Sequence, residues 1–256
     1  MIMKIRSALI VTLLFANLLS VANAHDTRVY EMRTYFAEDG KLDDLLARFR
    51  DHTCGLFEKY GIENVGYWVP KDNADNKLVY IIAYPNRIDQ EHMWKSFLND
   101  PNWKAAYKAS TANGKLVKKV DRIFMSPAEF SVPIVKVSSG DERLFEIRTY
   151  IANEGKLHHL DARFEDFTIR LFERHGMENI AYFHPMADQD GAGQTLIYFL
   201  AHESEDSRKA GFDGFRVDEE WKAARAASEE RAGGGLTIKG GVKSEFLIPT
   251  DFSPMR

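Results

Sequence analysis

The sequence predicts an α+β fold in which two ferredoxin-like βαββαβ units close on each other as one intramolecular, dimeric-type α/β barrel. Three observations predict it. The chain writes one unit of about a hundred residues twice. Each copy reads as strand, helix, strand, strand, helix, strand. One inner strand is apolar on both faces, so helices on one side of its sheet leave a second side to cover.

The repeat is explicit. Arg28-Val-Tyr-Glu-Met-Arg-Thr-Tyr35 lies over Arg143-Leu-Phe-Glu-Ile-Arg-Thr-Tyr150 at an offset of 115 residues. The same offset places Gly40-Lys41-Leu42 over Gly155-Lys156-Leu157, Ala47-Arg48-Phe49 over Ala162-Arg163-Phe164, and Gly61 over Gly176. An insertion near residues 188–193 moves the offset to 118, where Trp103-Lys-Ala-Ala106 meets Trp221-Lys-Ala-Ala224. A further slip around Gly233-Gly234-Gly235 brings Phe130-Ser131 onto Phe252-Ser253. The repeats therefore run over 28–131 and 143–253, joined by a linker at 132–142 that carries Pro133, Ser138, Ser139 and Gly140.

Within one unit, Arg28 to Tyr35 alternates two different sets of side chains and reads as a strand. A helix follows, with Asp39 as its predicted cap. Its apolar residues Leu42, Leu45, Leu46, Phe49, Leu56, Phe57 and Tyr60 recur at helical spacing until Gly61 ends it. Asn64 to Val69 and Leu78 to Tyr84 are the next two strands, with a turn from Pro70 to Lys77. A second helix is predicted from Asp89, broken at Asp100-Pro101 and resumed from Trp103, and Arg122 to Met125 closes the unit as a strand. Leu78, Tyr80, Ile82 and Tyr84 are as apolar or aromatic as Val79, Ile81 and Ala83, which is why a second cover is needed.

Residues 1–24 read as an export signal: Lys4 and Arg6, then an apolar run from Ala8 to Val21, then the small-x-small triplet Ala22-Asn23-Ala24. Cleavage there would leave His25 first, with no membrane span in the remainder, and implies a periplasmic or secreted protein. The single cysteine, Cys54, excludes an intramolecular disulfide. With 45% hydrophobic and 28% charged residues a packed core is expected, and a net charge of −4 gives no electrostatic reason to expect nucleic acid.

The candidate functional residues follow from the strand alternation. If Tyr30, Met32 and Thr34 pack under the helices, Glu31, Arg33 and Tyr35 point into a cavity between the sheets. Glu146, Arg148 and Tyr150 then do the same from the second copy, with Tyr80 and Tyr198 beside them. One reading is structural: buried charges are costly unless paired, and Glu31 and Arg33 form ion pairs. The other is functional: Arg33 and Arg148 hold the carboxylate of a small organic ligand in an apolar, tyrosine-lined cavity. The copies differ where Tyr84 becomes His202, Val69 becomes His184 and Tyr60 becomes His175. His184 and His202 lie on neighbouring strands and are weak candidates for a catalytic pair. His158 and His159 are adjacent on a helix and point apart. No phosphate-cradling glycine loop, Gly-x-Ser-x-Gly elbow or supported Cys-His pair is present, so no cofactor and no metal are expected.

Tyr30-Glu-x-Arg33-Thr-Tyr35, Gly40-Lys41-Leu42, Trp94-x-x-Phe97-x-x-Asp100-Pro101-x-Trp103 and the Pro249-Thr-Asp-Phe-Ser-Pro254 tail together resemble a NIPSNAP domain, in both copies. The resemblance implies a dimeric α/β-barrel fold related to small monooxygenases and haem-active enzymes, and implies no particular reaction. Animal members are linked to mitochondria and vesicular traffic, from which an export signal departs. Three readings result: a ligand-binding protein, a cofactor-independent enzyme of monooxygenase or isomerase type, and a protein-interaction scaffold. Association into a homo-oligomer is left open.

Overall fold

The computed structural model describes residues 26–134 and 143–256. The predicted export signal, His25 and linker residues 135–142 lie outside the described residues. In the first half, β1 (Val29–Ala37) leads into α1 (Leu42–Arg48) and α2 (Cys54–Lys59). Then come β2 (Glu63–Pro70), β3 (Lys77–Tyr84), α3 (Arg87–Asn99), α4 (Pro101–Ser110) and β4 (Val117–Pro127). The second half repeats the order with β5 (Leu144–Ala152), α5 (Leu157–Arg163), α6 (Ile169–Arg174), β6 (Glu178–Pro185), β7 (Thr195–His202), α7 (Glu205–Val217), α8 (Glu219–Arg231) and β8 (Thr237–Pro249).

Local chemistry sets most boundaries. Gly61, at φ +76°, ends α2 in the left-handed conformation that glycine adopts without a Cβ penalty. Asp100 breaks the second helical stretch and caps its resumption, accepting from the amides of Asn102 and Trp103 with Pro101 at the first helical position. Asn86 caps α3 by accepting from the Asp89 amide, so the helix starts at Arg87, two residues before the predicted Asp89. Asp39 caps nothing: α1 begins after Lys41 without a side-chain cap. Strand β4 is longer than predicted because its first half, with Lys118, Lys119 and Asp121, is exposed and has no apolar period to reveal it.

Between α1 and α2 the chain makes one wide π turn, Phe49–Thr53, and the second half repeats it at Phe164–Thr168. Widening frees a carbonyl, and Thr53 Oγ1 donates to the Arg48 carbonyl at 3.1 Å, as Thr168 does to Arg163 at 3.0 Å. Arg48 and Phe49 are thereby buried together, as are Arg163 and Phe164.

The strands form one closed antiparallel barrel in the order β1-β3-β2-β8-β5-β7-β6-β4. Within each half all four strands are neighbours. The halves join where β2 pairs with β8 (Val69 opposite Ile248) and β4 with β6 (Ser126 opposite His184). Each half then lends its tail to the other. Thr250 N–H donates to the Tyr67 carbonyl at 2.9 Å, Ser253 Oγ accepts from the Tyr67 amide at 2.9 Å, and Phe252 packs on the Tyr67 ring. Ala128, Ser131 and Phe130 do the same to Tyr182. The repeated Phe-Ser pair is therefore the clasp between halves.

The inside of the barrel takes side chains from both halves: Tyr30, Trp68, Ile81, Phe145, Phe183 and Phe199 meet there. Trp68 crosses the boundary, with ring centroids 5.5 Å from Phe145 and 5.7 Å from Phe199. Its indole also lies on Gly66, where a Cβ would come within 2.2 Å of Cη2; the second copy has the smaller Phe183 and admits Ala181. A void of about 10 Å³ remains among these rings, room for one water at most. The expected ligand cavity between the sheets is thus filled with side chains. The other face of each four-strand group packs under its own helices, around Tyr67, Tyr80 and Ile82 in one half and Tyr182, Tyr198 and Leu200 in the other.

Because the interior is shared, both halves unfold together. Thermal unfolding followed by far-ultraviolet and near-ultraviolet circular dichroism is expected to give one coincident transition. Trp68→Ala should destabilise by about 3–5 kcal/mol and lower that transition as a whole. Two separable transitions would show independently folded halves.

Candidate functional site

Tyr30 and Met32 pack inside the barrel, so Glu31, Arg33 and Tyr35 face the helices. This reverses the expected orientation, and the same holds for Glu146, Arg148 and Tyr150 and for Tyr80 and Tyr198. The reason is electrostatic. A barrel centre packed with hydrocarbon offers a charge neither water nor a partner, whereas the helix side offers both rings and counter-charges.

On the helix side the candidate residues do come together. In the first half Arg33 donates to Glu31 Oε1 at 2.6 Å, the Tyr84 hydroxyl donates to Glu31 Oε2 at 2.9 Å, and the Arg33 guanidinium lies 4.4 Å from the Trp94 ring centroid. In the second half Arg148 pairs with Glu146, and its other nitrogens donate to the hydroxyls of Tyr198 at 2.9 Å and Tyr150 at 3.2 Å. His202 takes the place of Tyr84, with Nε2 3.2 Å from Glu146 Oε2. Arg208 adds two further bonds to the same carboxylate, at 3.0 and 2.9 Å. Burial raises the Glu146 pKa, but the bonds from His202 and Arg208 and the charges of Arg148 and Arg208 more than offset it. They hold the carboxyl well below the usual carboxylate range. Each carboxylate is thus ion-paired within its own half, while Arg33 Nε, the Tyr80 hydroxyl and His202 Nδ1 are buried without a hydrogen-bond partner.

His184 and His202 are not a pair. His184 is bound to the Thr195 carbonyl at 2.9 Å, at the start of β7, and His202 is the last residue of that strand. At ~3.3 Å per residue they stand roughly 20 Å apart. Burial lowers the His184 pKa, but Asp161, 3.3 Å from Nε2, and the Thr195 carbonyl raise it above its usual value. His175 in turn bonds Asp218 at 2.9 Å, as Tyr60 bonds Asp100 at 2.7 Å. Two of the three histidines thus take over a carboxylate partnership that a tyrosine holds in the first copy. Cys54 is no nucleophile: burial pushes its thiol up to about 12. Among the described residues no group of three or more His, Cys, Asp or Glu is arranged to hold a metal ion.

Sequence reasoning missed an aromatic-lined pocket on the helix side of the second half. Between α5, the π turn, α8 and the edge of β5 and β8 lies a pocket of about 220 Å³, lined by Tyr150, Arg163, Phe164, Phe172, Phe215, Trp221 and Arg225 among others. Arg163 is 6% exposed, and its Nε has no hydrogen-bond partner. Nη1 reaches only the Ser228 hydroxyl at 3.5 Å, and the nearest carboxylate, Glu229 at 4.0 Å, is held instead by Arg225 at 3.0 Å. Burial pulls the guanidinium pKa down, yet an arginine in a protein stays charged. The result is a buried cation without a close anion, at the wall of an aromatic pocket. Its sequence signal was the repeated Ala-Arg-Phe, which sets an arginine on the apolar face of a helix in both copies. A larger hollow of about 530 Å³ is lined by Asp26, Arg28 and residues 127–134, at two of the ends of the described chain.

An eight-stranded closed antiparallel barrel with helices outside, made from two similar halves, makes the chain an α+β barrel protein. The chain belongs to the NIPSNAP family, whose profile matches twice, over residues 30–132 and 145–254. It is similar to the NipSnap homolog of Dictyostelium discoideum, 24% identical over 72% of this chain and 74% of the relative. It is also similar to mouse NipSnap homolog 3B, 25% identical over 89% and 85% respectively. The fold is shared with a Lactobacillus acidophilus protein provisionally described as a monooxygenase, at a TM-score of 0.56 and 7% identity over 88% of this chain and 94% of that one. No helix among the described residues is long and apolar enough to cross a membrane.

Removing the Glu146 charge leaves Arg148 and Arg208 facing each other, so Glu146→Gln should cost about 3–5 kcal/mol. The folded pKa lies below the unfolded one, so this contribution is fully present above about pH 4.5 and is lost as pH falls towards the folded value. Urea midpoints of the two proteins should therefore converge from roughly pH 5 down to pH 2. A pH-independent gap would contradict the assignment.

Proposed function

We propose that this protein binds a small organic anion in the helix–sheet pocket of its second half, with Arg163 as the group that receives the charge. The observation that carries this reading is the Arg163 guanidinium, buried at the wall of an aromatic pocket with one nitrogen unpartnered and its nearest carboxylate drawn away. A buried charge in that state is costly to the folded protein and is relieved by an anion that brings its own carboxylate. The ligand site thus moves from the space between the sheets to the space between sheet and helices. Each half is read as a ferredoxin-like unit, and residues 1–24 as a signal that exports the protein to a periplasm-like compartment.

A second reading, an enzyme acting on that anion, is favoured by one observation. Tyr150 lines the pocket while its hydroxyl accepts from Arg148 at 3.2 Å, which presents a polarised phenol to whatever binds. The monooxygenase-like fold agrees with an enzyme but says nothing of its reaction.

Calorimetric titration of the mature protein with a panel of small carboxylates is expected to find one site per chain. Arg163→Gln should weaken binding by roughly ten- to a hundredfold, the worth of a charge-assisted bond. Unchanged affinity in that variant would refute the assignment, and turnover lost in Tyr150→Phe with binding retained would select the enzyme reading. N-terminal sequencing of the protein expressed with residues 1–24 should begin at His25; an intact Met1 would remove the export proposal.

A further inference from the structure

The two copies hold their buried arginines alike except at two helix positions, where Tyr107 and Thr111 of the first become Arg225 and Glu229 of the second. In the first half Arg48 is 5% exposed, its Nη1 donates to Ser110 at 3.3 Å, and its Nε is unpartnered, just as Arg163 uses Ser228. Trp103 and Trp221 occupy equivalent places, 5.4 and 5.1 Å from the respective guanidinium carbons. One turn further along the helix the copies part. The first half has Tyr107, whose ring lies 5.4 Å from the Arg48 guanidinium and 5.8 Å from the Trp103 ring. The second half has Arg225, whose side chain is bound to Glu229. The aromatic beside the arginine in one half is therefore missing in the other, where the pocket is walled by aromatic rings; the hollow of about 360 Å³ beside Arg48 is walled instead by Lys41, Asp44, Asp51 and His52.

We infer that the second-half pocket takes a single-ring aromatic carboxylate, its ring beside Trp221 where Tyr107 stands in the first half and its carboxylate on Arg163. This deepens the ligand-binding reading and rests on it. Size agrees: about 220 Å³ is below the ~300–1,000 Å³ of sites for drug-sized molecules and suits one ring with a short acidic arm. So does the lining. Phe164, Phe172 and Phe215 supply apolar walls, and Trp221 is already positioned for an offset or edge contact with a ring. An arginine face between two rings is the arrangement the first half has built from its own residues.

Titration calorimetry of the mature protein with benzoate, 4-hydroxybenzoate and cyclohexanecarboxylate tests the inference. The aromatic acids are expected to bind one per chain, at least tenfold tighter than the saturated ring. Arg225→Tyr, which writes the first-half ring into the second half, should lower aromatic-acid affinity at least tenfold while leaving the circular-dichroism spectrum intact. Equal affinity for cyclohexanecarboxylate in the wild type, or wild-type affinity in a folded Arg225→Tyr, would overturn the aromatic inference alone. Failure of all three acids to bind the wild type would overturn the pocket reading beneath it as well.

Discussion

Everything in this molecule depends on a barrel interior that neither half can fill by itself. Trp68 of one copy reaches Phe145 and Phe199 of the other, and the tails beyond β4 and β8 each bind the opposite half through a serine and a phenylalanine. A sheet with both faces apolar must be covered twice, and the tandem copy is the nearest available cover. Fusion makes that cover intramolecular, so it no longer depends on protein concentration.

Filling the interior determines where polarity goes. Charged residues on β1 and β5 are driven to the helix side, where Glu31 gathers an arginine and a tyrosine hydroxyl and Glu146 two arginines and a histidine. Divergence between the copies then follows compensating lines. Tyr84 becomes His202 and Gln90 becomes Arg208, and both new side chains bond the same carboxylate. Around Arg163 the exchange runs differently: Tyr107 becomes Arg225 and Thr111 becomes Glu229, which pair with each other and leave Arg163 beside the Trp221 ring. For that reason the functional reading centres on the second half.

Much of the architecture was legible. The offset of 115 residues, Gly61 and the Asp100-Pro101 break each act through local chemistry, and the strands and helices stand close to where those signals put them. What failed was non-local. The first half of β4 carries no period because it is exposed; Asp39 has a capping side chain but not the geometry; the two histidines share neighbouring strands but sit at opposite ends. The π turn was invisible because a helical apolar stripe looks the same with one residue wedged into it, although the Arg-Phe-x-x-x-Thr spacing recorded it in both copies.

The sequence by itself determined that the chain is one unit written twice, that each unit alternates helices with a sheet buried on both sides, and which residues travel together on each strand face. Period-two alternation separates two faces, and a repeat reports a common fold, because both are properties of neighbouring residues. Only the tertiary structure decided which face turned inward, how fully the interior filled, and that Arg48 and Arg163, rather than Arg33 or Arg148, are the buried arginines left without a close anion. Those outcomes depend on the volume and charge that distant elements bring to a site, and α7, with Arg208, settles the partners of Glu146 from more than sixty residues away.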